Sequence, residues 1–143
     1  MDNEIVEVIN DFNQTILSLA QNIAYVCPNS IVGNNIKDIE KAIKKRDNFT
    51  KFVDIFCIKV LKYKDEIDNG KDSFFMDKDY KEDLKDDGVT DDEISSQLDI
   101  VISIKSIWSQ LKRENKDIVI QNMQILCELA QIYFNHIYKN MKK

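Results

Sequence analysis

The stretch from Asn115 to Met141 runs on without a single glycine or proline. Along it Val119, Met123, Leu126, Ala130, Tyr133 and Ile137 recur at alternating steps of four and three. A second apolar row, Ile118, Ile125, Leu129 and Ile132, runs beside the first. Two adjacent rows make a stripe wider than a coiled-coil seam, which predicts a helix with packed neighbours on more than one side. Asn115 is the expected N-cap, its short side chain accepting from the backbone N–H groups that a helix start leaves free. At 1.5 Å per residue such a helix is roughly 40 Å long. It organises a core; it carries no chemistry.

What must surround it is constrained by the joints. Three glycines and one proline in 143 residues are too few for the turns of a sheet protein and favour long helices. The expected fold is all-α: a compact bundle of four main helices plus short helical turns in an acidic connection, with the C-terminal helix central. A chain of this length fits one domain, 1–143, and can bury about 70% of its unfolded surface without staples.

Glu4 to Val26 predicts the first helix, with Ile5, Ile9, Phe12, Ile16, Leu19, Ile23 and Val26 on one face and Asp2 or Asn3 as cap. Cys27-Pro28-Asn29 ends it, because the residue before a proline is pushed out of the helical region. A shorter helix is expected from Asn35 to Lys45, turning Ile36, Ile39 and Ile43 inward. Asp47 or Asn48 is then placed to cap a third, whose apolar face runs from Phe49 to Leu61 while Lys51, Asp54 and Lys59 share the outer side.

From Asp65 to Glu93 thirteen acidic residues face four lysines, a balance of −9 in a chain of −5. The remainder is therefore about +4. Short turns and loops over the surface are expected there, about 63–90, anchored by Phe74 and Phe75. Thr90-Asp91-Asp92-Glu93 reads as a capping box. It opens a helix from Asp91 to about Leu111, with Ile94, Leu98, Val101, Ile104, Trp108 and Leu111 inward.

Chemistry-bearing patterns are sparse. His136 is the only histidine, and Cys27, Cys57 and Cys127 are too widely spaced for a zinc motif. They read as reduced core thiols. An EF-hand register on Gly88 puts Lys85 at the third position and Ile94 at the twelfth, a poor cage for a hard cation. A catalytic thiol would need a partly exposed electropositive setting, and no phosphate loop or nucleophile elbow is present in the sequence. The expectation is no enzyme, no metal and no cofactor.

The acidic N-terminus, where a secretory signal would be basic, and the lack of an apolar run near the ~18 residues of a membrane span point to an intracellular, non-secreted protein without a membrane partner. The pI near 4.9 does not suit general nucleic-acid binding. One local exception is the cluster Lys37, Lys41, Lys44, Lys45, Arg46 and Lys51, with Lys139, Lys142 and Lys143 at the terminus. The candidate interaction residues are thus Phe74, Phe75 and Tyr80 in the acidic segment, and Lys41, Lys44, Lys45 and Arg46 in the basic one.

The pattern Tyr63-Lys64-x-x-Ile67, Asp72-x-Phe74-Phe75 and Asp79-Tyr80, ahead of Ile107-Trp108-Ser109-Gln110-Leu111 and Met123 to Tyr133, resembles a group of small uncharacterised proteins of nucleocytoplasmic large DNA viruses, the giant viruses. The abundance of Lys, Asn and Ile, with their AT-rich codons, agrees with that resemblance. Where the group carries a proline after the cap of the third helix, this chain has Phe49. The resemblance implies an all-helical fold and no catalytic residues. The expected function is a non-enzymatic protein–protein interaction module, viral, acting in virion assembly or on a host factor, in host cytoplasm or virion. Its partner is a viral or host protein, or a second copy in a homo-oligomer. The alternative is a nucleic-acid-associated accessory protein using the Lys37–Lys51 cluster.

Overall fold

The computed structural model describes residues 3–78 and 93–141. Asp2, Tyr80, the Thr90 capping box, the Gly88 register and Lys142–Lys143 lie outside the described residues. Among the described ones the fold is all-α, with seven α-helices and no strand. They are α1 (Asn3–Val26), α2 (Ile31–Lys44), α3 (Lys51–Lys59), α4 (Lys64–Asn69), α5 (Asp72–Asp77), α6 (Glu93–Ile102) and α7 (Arg113–Met141).

α1 and α7 form the spine, running antiparallel: residues 11–18 lie beside 122–129, and residues 4–11 beside 132–136. Ile5, Ile9, Phe12, Ile16, Leu19 and Ile23 are all buried, as their spacing predicts. α2 folds back on α1 after Pro28, and α3 crosses between α1, α6 and α7. Phe12 of α1 meets Phe56 of α3 edge-on, with ring centroids 5.2 Å apart. Such an edge-to-face pair adds to the area it buries.

Several joints differ from the sequence expectation. α2 begins at Ile31, four residues earlier than expected, because Ser30 is its cap: the Gly33 N–H donates to Ser30 Oγ at 3.1 Å. Asn48 does not cap α3. It is buried, its Nδ2 donating to Ala42 O at 2.8 Å, and a 3₁₀ turn over Arg46–Asn48 precedes α3. α7 starts at Arg113, so Asn115 sits inside its first turn, its N–H bonded back to Lys112 O.

The helix expected to reach Leu111 ends at Ile102. Ser103 has ψ 59°, outside the helical well, and two 3₁₀ turns, Ile104–Ser106 and Trp108–Gln110, carry the chain on. Ile100, Val101, Ile102 and Ile104 are all β-branched and stiff against the preceding turn. The Ser103 hydroxyl donates to Asp99 O, offering the backbone a local alternative. The side chains Ile104, Trp108 and Leu111 still reach the core. Their spacing predicts the burial but not the break.

Lys59 is the sharpest correction. Expected on the outer side of α3, it is fully buried, its Nζ 3.7 Å from Asp99 Oδ1 on α6.

Candidate interaction site

The two groups of residues named from the sequence lie in different surroundings. Phe75 is buried and stacks on Trp108 at 5.5 Å and 13°. Phe74, half-buried, meets the Phe75 ring edge-on at 5.4 Å and tilts against Tyr63 at 6.0 Å. α5 is further pinned by Arg113, whose guanidinium donates to both Asp72 oxygens at 2.6 and 3.0 Å. That bidentate hydrogen bond holds the Asp72 carboxyl below the usual carboxylate range. α4 is tied to α7 by Gln124, whose Nε2 donates to the Ile67 and Asp68 carbonyls. Phe74 and Phe75 therefore fasten α5 to the bundle.

Lys41 and Lys44, on α2, and Lys45 and Arg46, at its exit, are exposed, as are Lys37 and Lys51. Lys37, Lys41 and Lys44 share one face at steps of four and three. Lys41 and Lys44 close the last turn of α2, where the dipole favours cations.

A third surface emerges on α7. Val119, Met123, Leu126, Ala130 and Tyr133 are buried as expected, joined by Ile120 and Cys127. The second row is not in the core: Ile118, Ile125 and Ile132 are 41%, 47% and 44% exposed, and Leu129 beside them is half-buried. Towards the C-terminus Phe134, Ile137 and Tyr138 are exposed too, Phe134 and Tyr138 stacked at 6.3 Å. The packed neighbour expected on this second side is not found among the described residues, which leave Ile118, Ile125 and Ile132 open.

This face borders a groove between α1 and α7. One hollow of about 370 Å³ is lined by Asn122, Ile125 and Leu129 opposite Asp11, Gln14, Thr15 and Ser18. The next, also about 370 Å³, has Val8 and Ile132 as its apolar floor, with Glu4, Glu7, Asp11 and His136 around it. A separate, largely apolar hollow of about 380 Å³ lies between the start of α2 and the end of α6, with Asp99 and Lys105 at its wall.

Nucleophilic chemistry finds no support in the thiols. Burial pushes Cys57 and Cys127 up to about 12, with Asp54 adding to the first and Asp68 to the second. Burial raises Cys27 as well. Cys57 Sγ lies 3.6 Å from Ala130 O. The Tyr133 hydroxyl, also raised by burial and then by its bond to Asp54 Oδ1 at 2.5 Å, closes the same α3–α7 seam. Among the described residues no cluster of His, Cys, Asp and Glu could hold a metal ion, and no helix is long and apolar enough to cross a membrane.

No family model matches the chain, and no curated protein or solved structure matches it either.

Proposed function

We propose that the chain is a non-enzymatic helical protein–protein interaction module whose working surface is the outer face of α7. The observation that carries this reading is the exposed row Ile118, Ile125 and Ile132 at seven-residue spacing on the longest helix. Single apolar side chains on a surface need no explanation, but a row in register over several turns does. The protonated thiols of half-buried Cys57 and buried Cys127 support the non-enzymatic half of the reading. A viral source, with a viral or host protein as partner in virion assembly or host cytoplasm, is part of the proposal. It rests on the resemblance carried by the Tyr63–Tyr80 segment.

The experiment compares tagged wild-type chain with Ile118→Asp/Ile132→Asp, recovering and identifying bound proteins from source cells. A specific partner retained by the wild type and lost by the variant, at an unchanged far-ultraviolet spectrum, is the expected result. Identical sets of bound proteins count against the α7 face.

The exposed run Lys37, Lys41, Lys44, Lys45, Arg46 and Lys51 favours a second reading, contact with nucleic-acid phosphate. Phosphate contacts weaken steeply with salt. Binding to RNA or DNA at low ionic strength that falls along a salt series supports this reading; no binding at low salt removes it.

A further inference from the structure

We infer that the occupant of the α7 face is a second copy of the same chain, laid across it antiparallel. This rests on the reading of that face as a docking surface and adds its partner and orientation. The exposed row is symmetric about Ile125, with Ile118 and Ile132 seven residues to either side. A two-fold axis at Ile125 sets Ile118 of one copy against the partner's Ile132, and Ile125 against its own equivalent. Self-complementarity of this kind is what an isologous interface requires.

Charge chooses the orientation. Glu114 and Lys139 are both exposed. At about 100° per residue they fall within roughly 20° of the same flank of α7. Antiparallel pairing about Ile125 brings Glu114 opposite the partner's His136 position, about three residues or 4.5 Å from the partner's Lys139, a gap that a lysine side chain spans. The contact occurs twice by symmetry. Parallel pairing offers no such contact, since it holds each Glu114 roughly 38 Å along the helix from either Lys139. The α1 rim of the groove agrees. Its acidic half carries Glu4, Glu7 and Asp11, and its uncharged half Gln14, Thr15 and Ser18. Antiparallel copies bring the two α1 rims together and oppose acid to amide and hydroxyl, whereas parallel copies leave the rims on opposite sides of the seam.

The size also fits. Glu114 to Lys139 spans roughly 38 Å of helix. With two helices about 10 Å apart forming the surface, the footprint is on the order of 700–800 Å² per copy, that of a standard stable interface.

Sedimentation equilibrium of the full chain, from micromolar to sub-millimolar concentration, is the test. The expected mass is twice 16.7 kDa. Ile125→Asp is expected to weaken association at least about a hundredfold, since it buries two unpaired charges at the axis, while leaving the helical spectrum unchanged. Glu114→Lys and Lys139→Glu are each expected to weaken the dimer several-fold, and the two together to restore it. A chain at monomer mass throughout overturns the inference, as does a dimer indifferent to Ile125→Asp. Single charge reversals without effect, or a double weaker than either single, overturn the antiparallel orientation. A monomeric wild type that still loses a different protein on Ile118→Asp/Ile132→Asp sinks self-pairing alone; neither kind of association sinks the docking surface as well.

Discussion

The ammonium of Lys59, with no solvent exposure, lies 3.7 Å from the Asp99 carboxylate across the α3–α6 contact. Both ends of that pair were taken out of water, and each desolvation costs several kcal/mol. Asp99 keeps some access to solvent through the hollow behind α6, whereas Lys59 has none. The two single variants should therefore differ. Asp99→Ala takes a carboxylate away from a fully buried ammonium and should be the costlier change, on the order of 3 kcal/mol in urea unfolding. Lys59→Met keeps the stem volume and leaves the better-hydrated partner behind, so it should cost less. Lys59→Met/Asp99→Leu should return close to wild-type stability. Equal losses for the two singles would show that the pair is solvated alike at both ends.

The same pair marks where sequence reasoning stops. Helical spacing identified the buried face of α1 from Ile5 to Ile23, the inward residues of α6 and the main row of α7 as far as Tyr133, beyond which Ile137 is exposed, because an apolar stripe reports its own direction. Lys59 ends α3 between Ile58 and Val60, and nothing in its spacing separates a solvated lysine from one facing Asp99 forty residues on. Ile58, conversely, is exposed. The row Ile118, Ile125 and Ile132 shows the opposite error. Periodicity reveals apolar residues on a common face, but whether that face meets its own core or something else depends on how many helices the rest of the chain can lay against it. The break at Ser103 escaped for a third reason. 3₁₀ turns with i, i+3 and i+4 contacts bury almost the same residues that an α-helix would.

The two phenylalanines of α5 should separate cleanly. Phe75 is buried between Phe74 and Trp108, so Phe75→Ala should cost about 3–5 kcal/mol. Phe74 is half-buried against Tyr63, and Phe74→Ala should cost about half as much. Urea midpoints of the two variants make the measurement. Equal losses would mean that Phe74 is as enclosed as its neighbour.

Facing sides of α7 give a second contrast. Leu126 is fully buried, while Gln131 lies partly in solvent and its Nε2 bonds Asn135 Oδ1 at 2.9 Å. Leu126→Asp places an unpaired charge in the core at a cost of several kcal/mol, against a total stability of roughly 5–15 kcal/mol, and should unfold the chain. Gln131→Asp should stay within about 1 kcal/mol of wild type. Similar thermal melts for both would place the wrong face of α7 inward.

Alkaline pH should destabilise the fold through its thiols. Unfolded, Cys57 and Cys127 ionise near 9.0; folded, they hold their protons up to about 12. A group whose neutral form the fold favours in this way contributes fully below its unfolded pKa. That contribution is lost as pH rises, so urea midpoints should fall from about pH 9 towards 12. At pH 8 buried Cys127 should react with a disulfide reagent only in urea, and half-buried Cys57 more slowly in the native chain than in urea. Fast modification of the native chain at Cys127 would contradict its burial.

Gly33 supplies the last contrast, because its expected sign runs against helix propensity. It stands at the third position of α2, where exchanging glycine for alanine ordinarily stabilises a helix by roughly 0.5–1 kcal/mol. A Cβ at Gly33 would collide with the Pro28 carbonyl oxygen, and would meet Pro28 C at 2.6 Å and Cys27 O at 2.8 Å. These are backbone atoms held in a turn by Cys27 O, which accepts from both the Ser30 N–H and the Ser30 hydroxyl. They cannot step aside as a flexible side chain can. Gly33→Ala should therefore cost about 1–3 kcal/mol, the range for overpacking a close contact. Ser30→Ala, which removes the cap on the Gly33 N–H together with the hydroxyl's bond to Cys27 O, should cost about 1–2 kcal/mol. Thermal melts of the two variants beside Asn34→Ala, an exposed position one residue on, separate collision from propensity. A Gly33→Ala chain melting at or above wild type would mean that the Pro28 turn moves freely, and that the α1–α2 joint is looser than the contact at Gly33 requires.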